Sequence, residues 1–302
     1  MSIALCDRFF NKGEFMDSAQ PCPPLKPAKL LVATDRSEFS EGAIREAINL
    51  AKKSSGSLYI VSVMETNPEY ETIGANFFQK EEEEAIKYLG TLRKRASQEG
   101  LHCQSMLLHG NDPYRLITDT ATERMVDIII IGRRGRSGLS EVLRGQGAKV
   151  VGRATCKVLV VPKAAVIEHR KVLVATDGSN HSIAAASEAL GIAKRCGSSI
   201  VAVSVAQSET ALNAAKTNVG KVVEMAQRDN IPVEALTPIG KSYKAIVETA
   251  GGRAVDLIVM GTYGETGLRK FFMGSTTEKV ISHSGCAVMV VKEERRLRGR
   301  LT

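Results

Sequence analysis

Short, almost unbroken apolar runs alternate along the chain with longer stretches whose apolar residues recur three and four positions apart. In the C-terminal half the runs are VLVATD from Val172, SSIVAVSV from Ser198, PVEALTP from Pro232, DLIVMG from Asp256 and AVMVV from Ala287. Each is bounded by turn-forming residues and reads as a strand. Between them, Ser179 to Arg195 places Ile183, Ala186, Leu190 and Ala193 on one helical face. Further helices are predicted around Ala211 to Arg228, from about Ser242 to Gly251, and ending at about Ser284. Strands that lack polar alternation are buried on both faces, so this pattern predicts a parallel sheet with helices on either side.

The N-terminal half runs the same way. KLLVATDRSEFS from Lys29 matches KVLVATDGSNHS from Lys171, VDIIIIGRRGRSGL from Val126 matches VDLIVMGTYGETGL from Val255, and CKVLVVP from Cys156 matches CAVMVVK from Cys286. Matched blocks in the same order mean a duplicated domain, joined near Pro162 to Arg170. The expected organisation is a leader over residues 1–27, a first domain over 28–163, a second over 170–293 and a basic tail over 294–302. The first half carries an extra loop, NPEYETIGAN, and a longer second helix containing Glu81 to Glu84. That acidic run is expected on a solvated face near the helix N-terminus, where it suits the dipole.

In an open parallel sheet, ligands bind beyond the carboxyl ends of strands where the winding reverses. Asp177 ends the first strand of the second half and Gly261 the fourth, so both are expected at one crevice. Gly261, Gly264, Gly267 and Gly274 then precede Ser275 and Thr276, where the next helix begins. A helix start offers free N–H groups and partial positive charge, and glycines let a phosphate chain lie against the backbone. Plainer readings stand beside this one. The glycines make a turn, Ser275 caps its own helix, and Asp177–Gly178 is a turn before the first helix.

Composition narrows the classes. A chain of 302 residues with 43% hydrophobic and 25% charged residues fits two soluble globular domains. The net charge of +8 suits anionic ligands but is too small to diagnose nucleic-acid binding. The tail KEERRLRGRLT is expected to be solvated. Six scattered cysteines, without a CxxC pair, give neither a zinc site nor a disulfide framework, and most read as reduced thiols of a cytoplasmic protein. No apolar run suits a signal peptide or a membrane span. There is no G-x4-GK[ST] loop, no HxGH and no SGGxDS-like loop. The five histidines form no evident triad or metal set, so a catalytic base or nucleophile is not expected.

The spacing G-x2-G-x9-G-S at Gly261, Gly264, Gly274 and Ser275, together with VLVATDGS from Val172 and CAVMVV from Cys286, resembles the nucleotide-binding signature of universal stress proteins. The resemblance covers about Ala28 to Lys292 as a tandem pair. It implies, for each half, a Rossmann-like α/β domain of the adenine nucleotide alpha-hydrolase-like type, with a five-stranded parallel sheet in the order 3-2-1-4-5. It implies ATP in the second half, with Asp177 and Val205 at the adenine and ribose and Ala175 and Thr176 lining the base pocket. Met260 and Gly261 would sit by the ribose, and Gly264, Gly274, Ser275 and Thr276 would take the phosphates with a divalent cation, Mg or Mn. The fifth strands, Val158 to Val161 and Val288 to Val291, are expected to pair with each other within the chain, leaving a homodimer as a further state.

The first half departs from this pattern. Gly132, Gly135 and Gly145 keep the glycine spacing, but Gln146 replaces the serine, and Gly145 to Lys149 spans 4 positions where Gly274 to Lys279 spans 5. One missing residue turns a helix start by about 100°. The first half is therefore expected to bind ATP poorly or not at all, although Asp35 and Val63 match Asp177 and Val205. Arg133, Arg134, Arg136 and Arg144 either grip phosphates or lie on a solvated loop, and the loop is the expectation. The function implied is a nucleotide-responsive regulator of the stress response, with slow ATP hydrolysis at most. The alternative is a nucleotide-independent interaction and dimerisation module of the same fold.

Overall fold

A computed structural model describes residues 28–66, 75–133, 147–262 and 273–292, with only the backbone of 75–77. The leader and the tail lie outside the described residues. Strands β1 (Lys29–Thr34), β2 (Ser57–Met64), β3 (His102–His109), β4 (Ile128–Arg133) and β5 (Lys157–Pro162) belong to the first half. Strands β6 (Lys171–Ala175), β7 (Ser199–Val203), β8 (Val233–Leu236), β9 (Leu257–Gly261) and β10 (Ala287–Val291) belong to the second. Within each half the strands are parallel and ordered 3-2-1-4-5. At the centre β5 and β10 pair antiparallel, with Val160 opposite Val288, Leu159 opposite Met289 and Val158 opposite Val290. The result is one ten-stranded sheet in the order β3-β2-β1-β4-β5-β10-β9-β6-β7-β8.

The helices are α1 (Glu41–Ser54), α2 (Ala75–Gln98), α3 (Pro113–Glu123), α4 (Ala148–Arg153), α5 (Asn180–Cys196), α6 (Leu212–Arg228), α7 (Ser242–Gly252) and α8 (Ser275–His283). Their ends follow local chemistry. Ser179 caps α5 by accepting from Ser182 N, and Gly197 closes it at φ 69°. Pro113 opens α3, where its missing N–H costs nothing. Residues of α1, α2, α5 and α6 form one apolar layer on one face of the sheet, and those of α3, α4, α7 and α8 form the other. Each layer runs through both halves. The central strands β4, β5, β9 and β10 are buried almost throughout, whereas β3 and β8 at the outer edges are partly exposed.

The two halves also exchange cations. Arg133 Nη1, at the end of β4, donates to Ile281 O at 2.9 Å and to Ser284 O, the last carbonyls of α8. Lys292 Nζ, just beyond β10, donates to Gly152 O at 2.7 Å and to Ala154 O, the last carbonyls of α4. Each helix C-terminus, with its partial negative charge, is thus met by a cation from the other half. Burial pulls the Lys292 ammonium down to about 8. Lys157 of β5 adds an ion pair at 2.7 Å to Glu188 of α5.

The joint between the halves is packed. Ala165 and Ile167 are buried, and the Arg45 guanidinium donates to Lys163 O and Ala165 O. His169 sits here at φ 58°, with Nδ1 buried and without a hydrogen-bond partner.

Two expectations are corrected. The acidic run is not at a helix start, because α2 begins at Ala75 and has no acidic residue in its first turn. Instead, Glu81 pairs with Arg36 at 2.9 Å and Glu82 lies 3.3 Å from His109. Glu81 and Glu82 therefore tie α2 to the turn after β1 and to the end of β3, whereas Glu83 and Glu84 lie on an exposed face as expected. Among the cysteines, Cys103, Cys156 and Cys286 are free, but Cys196 is disulfide-bonded. Burial pushes the Cys103 and Cys156 thiols up to about 11 and that of Cys286 upward, so all three stay protonated and inert near neutral pH.

Burial, with Lys53 and Arg195 nearby, lowers the His169 imidazole from 6.5 to about 4. The unfolded chain therefore binds a proton there at a pH where the folded chain does not. Stability is full above about pH 6.5 and falls as pH drops toward about 4, by up to about 1.4 kcal/mol per pH unit. His169→Asn, which tolerates the positive φ, should flatten this part of the profile in urea melts. An unchanged slope would contradict the assignment.

Candidate functional site

The site is built where β6 ends between β7 and β9. Ala175 is paired with Val203 on one side and Met260 on the other. Beyond it the chain turns at Thr176, Asp177 and Gly178 into α5. Asp177 Oδ1 accepts from Ser179 N at 3.1 Å and Ser179 Oγ at 2.6 Å. Thr176 Oγ1 lies 3.0 Å from Ser182 Oγ and accepts from Gly178 N at 3.2 Å. Gly178 has φ 84°, and a Cβ there would come within 2.3 Å of Asn218 Oδ1. The turn reading of Asp177–Gly178 thus describes real hydrogen bonds, and it leaves the Asp177 side chain exposed beyond the strand end.

The first half repeats this turn. Asp35 Oδ1 accepts from Ser37 N at 3.1 Å and Ser37 Oγ at 2.6 Å, and Thr34 Oγ1 lies 2.8 Å from Ser40 Oγ. Arg36 takes the place of Gly178 and holds φ 63°, a conformation that disfavours residues with a Cβ. Its side chain is retained by Glu81.

The glycine at or next to the end of the fourth strand of each half has a structural cause. A Cβ on Gly261 would lie 2.8 Å from His181 C and 3.0 Å from His181 O. On Gly132 it would lie 2.4 Å from Phe39 O. Here the strand end touches the backbone that starts the neighbouring helix, and no side chain fits. Room for the protein's own chain accounts for Gly261 without a ligand.

At the other wall, Gly274 is the N-cap of α8, and its N–H donates to Thr262 O at 2.9 Å. Its φ of −61° is open to any residue, so torsion does not require glycine there. Thr277 is buried and donates to Gly261 O at 3.0 Å, fastening the first turn of α8 to the end of β9. Ser275 is exposed and Thr276 half-buried at the start of the helix. Gly274 shows no side-chain cap and Glu278 N bonds to Gly274 O, so Ser275 does not cap its own helix.

Of the ten predicted residues, the structure gathers Ala175, Thr176, Asp177, Met260 and Gly261 at adjacent strand ends. Val205 follows β7, and Gly274, Ser275 and Thr276 are tied to the end of β9 through Thr262 and Thr277. Gly264 lies outside the described residues. Met260 is 5% exposed and packs into the apolar layer, so its side chain serves the core. Lys279 Nζ stands 5.3 Å from the centroid of the Tyr243 ring, and the His283 ring centroid lies 5.4 Å from that of Tyr243. His283 Nδ1 is 2.8 Å from Lys279 O, which makes His283 a packing residue. The sequence reading missed the Lys–Tyr pair. Its repeat in the first half, Lys149 over Tyr114 at 4.9 Å, is the signal that would have exposed it.

The first half contains what the sequence did not announce: a cavity of about 230 Å³ at the matching strand ends, bordered by Ala33, Asp35, Phe39, Val63, Glu65 and Gly132 among others. Arg133, expected on a solvated loop, instead ends β4 and reaches into the other half. Gly135, Gly145, Gln146, Arg134, Arg136 and Arg144 lie outside the described residues.

The sequence profile described as "Universal stress protein family" matches residues 28–162 and again 168–292. The chain belongs to the universal stress protein family. A universal stress protein of Methanocaldococcus jannaschii is 32% identical over 144 residues, 42% of this chain and 85% of that protein. One from Bacillus subtilis is 30% identical over 145 residues, 44% of this chain and 97% of its own length. Each of these relatives corresponds to about half of this chain. A crystal structure of a universal stress protein from Archaeoglobus fulgidus superposes with a TM-score of 0.71 at 23% identity, covering 88% of this chain and 98% of its own, and shares the fold. Among the described residues, no helix of this universal stress protein is long and apolar enough to cross a membrane.

Gly261→Ala should destabilise the protein by about 1–3 kcal/mol, because a methyl group must displace the backbone at His181. Equilibrium urea unfolding measures it. A variant as stable as the parent would mean that the start of α5 yields and the contact is not a constraint.

Proposed function

We propose that the second half binds ATP and that the protein acts as a nucleotide-responsive regulator. The observation that carries this reading is the opening turn of α8. Ser275 and Thr276 stand at a helix start fastened to the end of β9, beside the strand end that presents Asp177. Free helical N–H groups, the helix dipole and two small hydroxyls suit phosphate oxygens. Asp177, exposed beyond the end of β6, suits the hydroxyls of a ribose as an acceptor. Ala175 and Val205 offer small apolar surface to a base. Gly264 and Gly274 would let the phosphate chain approach the backbone.

The divalent cation would arrive on the triphosphate oxygens. Among the described residues, no group of three or more His, Cys, Asp and Glu could hold a metal ion. No residue is assigned a catalytic role, because His283 is engaged by Tyr243 and Lys279. Regulation would follow from differential affinity: ATP stabilises the arrangement of β9 and α8 that fits it and so shifts the population of surfaces around α8. The cytoplasm is the proposed compartment.

Calorimetric titration of ATP into the full chain and into a Gly274→Val, Ser275→Ala variant tests the site. The parent should bind about one ATP, and the variant should lose at least about tenfold in affinity. Equal affinity in both would remove ATP from α8 and favour the nucleotide-independent interaction module.

A further inference from the structure

We propose that Arg133, a residue of the first half, is a positioning residue for the second. It holds α8 from its far end, so that the opening turn offered to phosphate is kept in place across the junction. For its consequence the inference rests on the ATP reading of that turn. For its geometry it rests on the contacts of α8 alone.

α8 has nine residues, Ser275–His283. Isolated helices shorter than about 12–15 residues are marginal in water, because the first turn is costly to nucleate. A helix this short opens largely as one unit and depends on contacts at both ends. At its start, Gly274 N donates to Thr262 O at 2.9 Å and Thr277 Oγ1 to Gly261 O at 3.0 Å, both within the second half. The other end is built differently. Ser284, which follows the last helical residue, is extended at φ −64° and ψ 140°, so α8 lacks the left-handed closure that Gly197 gives α5. The carbonyls left over at a helix end need donors from elsewhere. Arg133 supplies them, from Nη1 to Ile281 O at 2.9 Å and to Ser284 O. Its charge also meets the partial negative charge of that end.

The two halves differ at this position. The matched blocks VDIIIIGRRG and VDLIVMGTYG place Arg133 where the second half has Thr262. Thr262 Oγ1 donates to Val291 O at 3.2 Å, in its own half. The helix of the first half, α4, is met instead by Lys292 from beyond β10. The arginine thus stands in the half whose loop departs from the nucleotide pattern. It acts on the helix of the half that keeps the pattern.

The test combines ATP calorimetry with amide hydrogen exchange on the full chain. Arg133→Met should weaken ATP binding by at least about tenfold, and Arg133→Lys, which keeps a cation at these carbonyls, should restore most of the affinity. Lys292→Met breaks the other crossing contact, to α4, and should leave ATP affinity unchanged. Two amides separate a local effect from a transmitted one. Ser284 N bonds to Val280 O at 2.8 Å at the end of α8, and Glu278 N bonds to Gly274 O at 3.0 Å at its start. In Arg133→Met, exchange should rise at both. A rise confined to Ser284 overturns the inference, as does ATP affinity that is unchanged in Arg133→Met or lowered equally by Lys292→Met. If the parent binds no ATP, the ATP reading fails and exchange at Glu278 decides. A rise there in Arg133→Met but not in Lys292→Met sustains the positioning role, and no rise overturns it.

Discussion

Two strands as apolar as β5 and β10 are costly to leave as open sheet edges in water, and in this chain they meet. β5 and β10 lie antiparallel at the centre of the sheet, and the apolar layers on both faces continue across the junction. An exposed edge of this kind would recruit another chain. Here it recruits the other half of its own. The cations that cross the junction reinforce the pairing, because Arg133 and Lys292 each meet the carbonyl end of a helix in the opposite half. Those helices, α4 and α8, follow the fourth strands of their halves. The same junction that satisfies the edges therefore ties the frameworks of the two candidate sites together.

Within each half, the sheet order brings the ends of the first and fourth strands side by side, and the backbone at or just before the start of the helix after the first strand presses on the last glycine of the fourth. This contact fixes the crevice before any ligand is considered. The two halves then diverge. In the second, Ser275 and Thr276 open a nine-residue helix beside the exposed Asp177. In the first, an open cavity is bordered by apolar residues of β2 and β4 and by Asp35 and Glu65.

Much of this was legible in the sequence. The matched apolar runs gave the strands, the duplication and the crevice, because period and turn residues report directly on local structure. VDIIIIG and VDLIVMG pointed to a glycine at a tight place, but they could not say what pressed on it, and at Gly261 it is the backbone of His181. The direction of Arg133 was illegible because its partners are 148 and 151 residues away. The acidic run in α2 was misplaced because that helix begins within a stretch that carries no clear start signal, six residues before Glu81. The cavity in the first half was invisible because its volume depends on how Phe39, Val63 and Ile131 pack, and sequence spacing does not encode that.

The most direct test of the account is to denature the purified full-length protein and to identify and quantify any released nucleotide by mass spectrometry against protein concentration. The account predicts about one adenine nucleotide carrying phosphate per chain, held by the second half. Two phosphorylated nucleotides per chain would contradict the division of labour between the halves. None, with no shift in unfolding temperature when ATP is added back, would contradict nucleotide binding altogether.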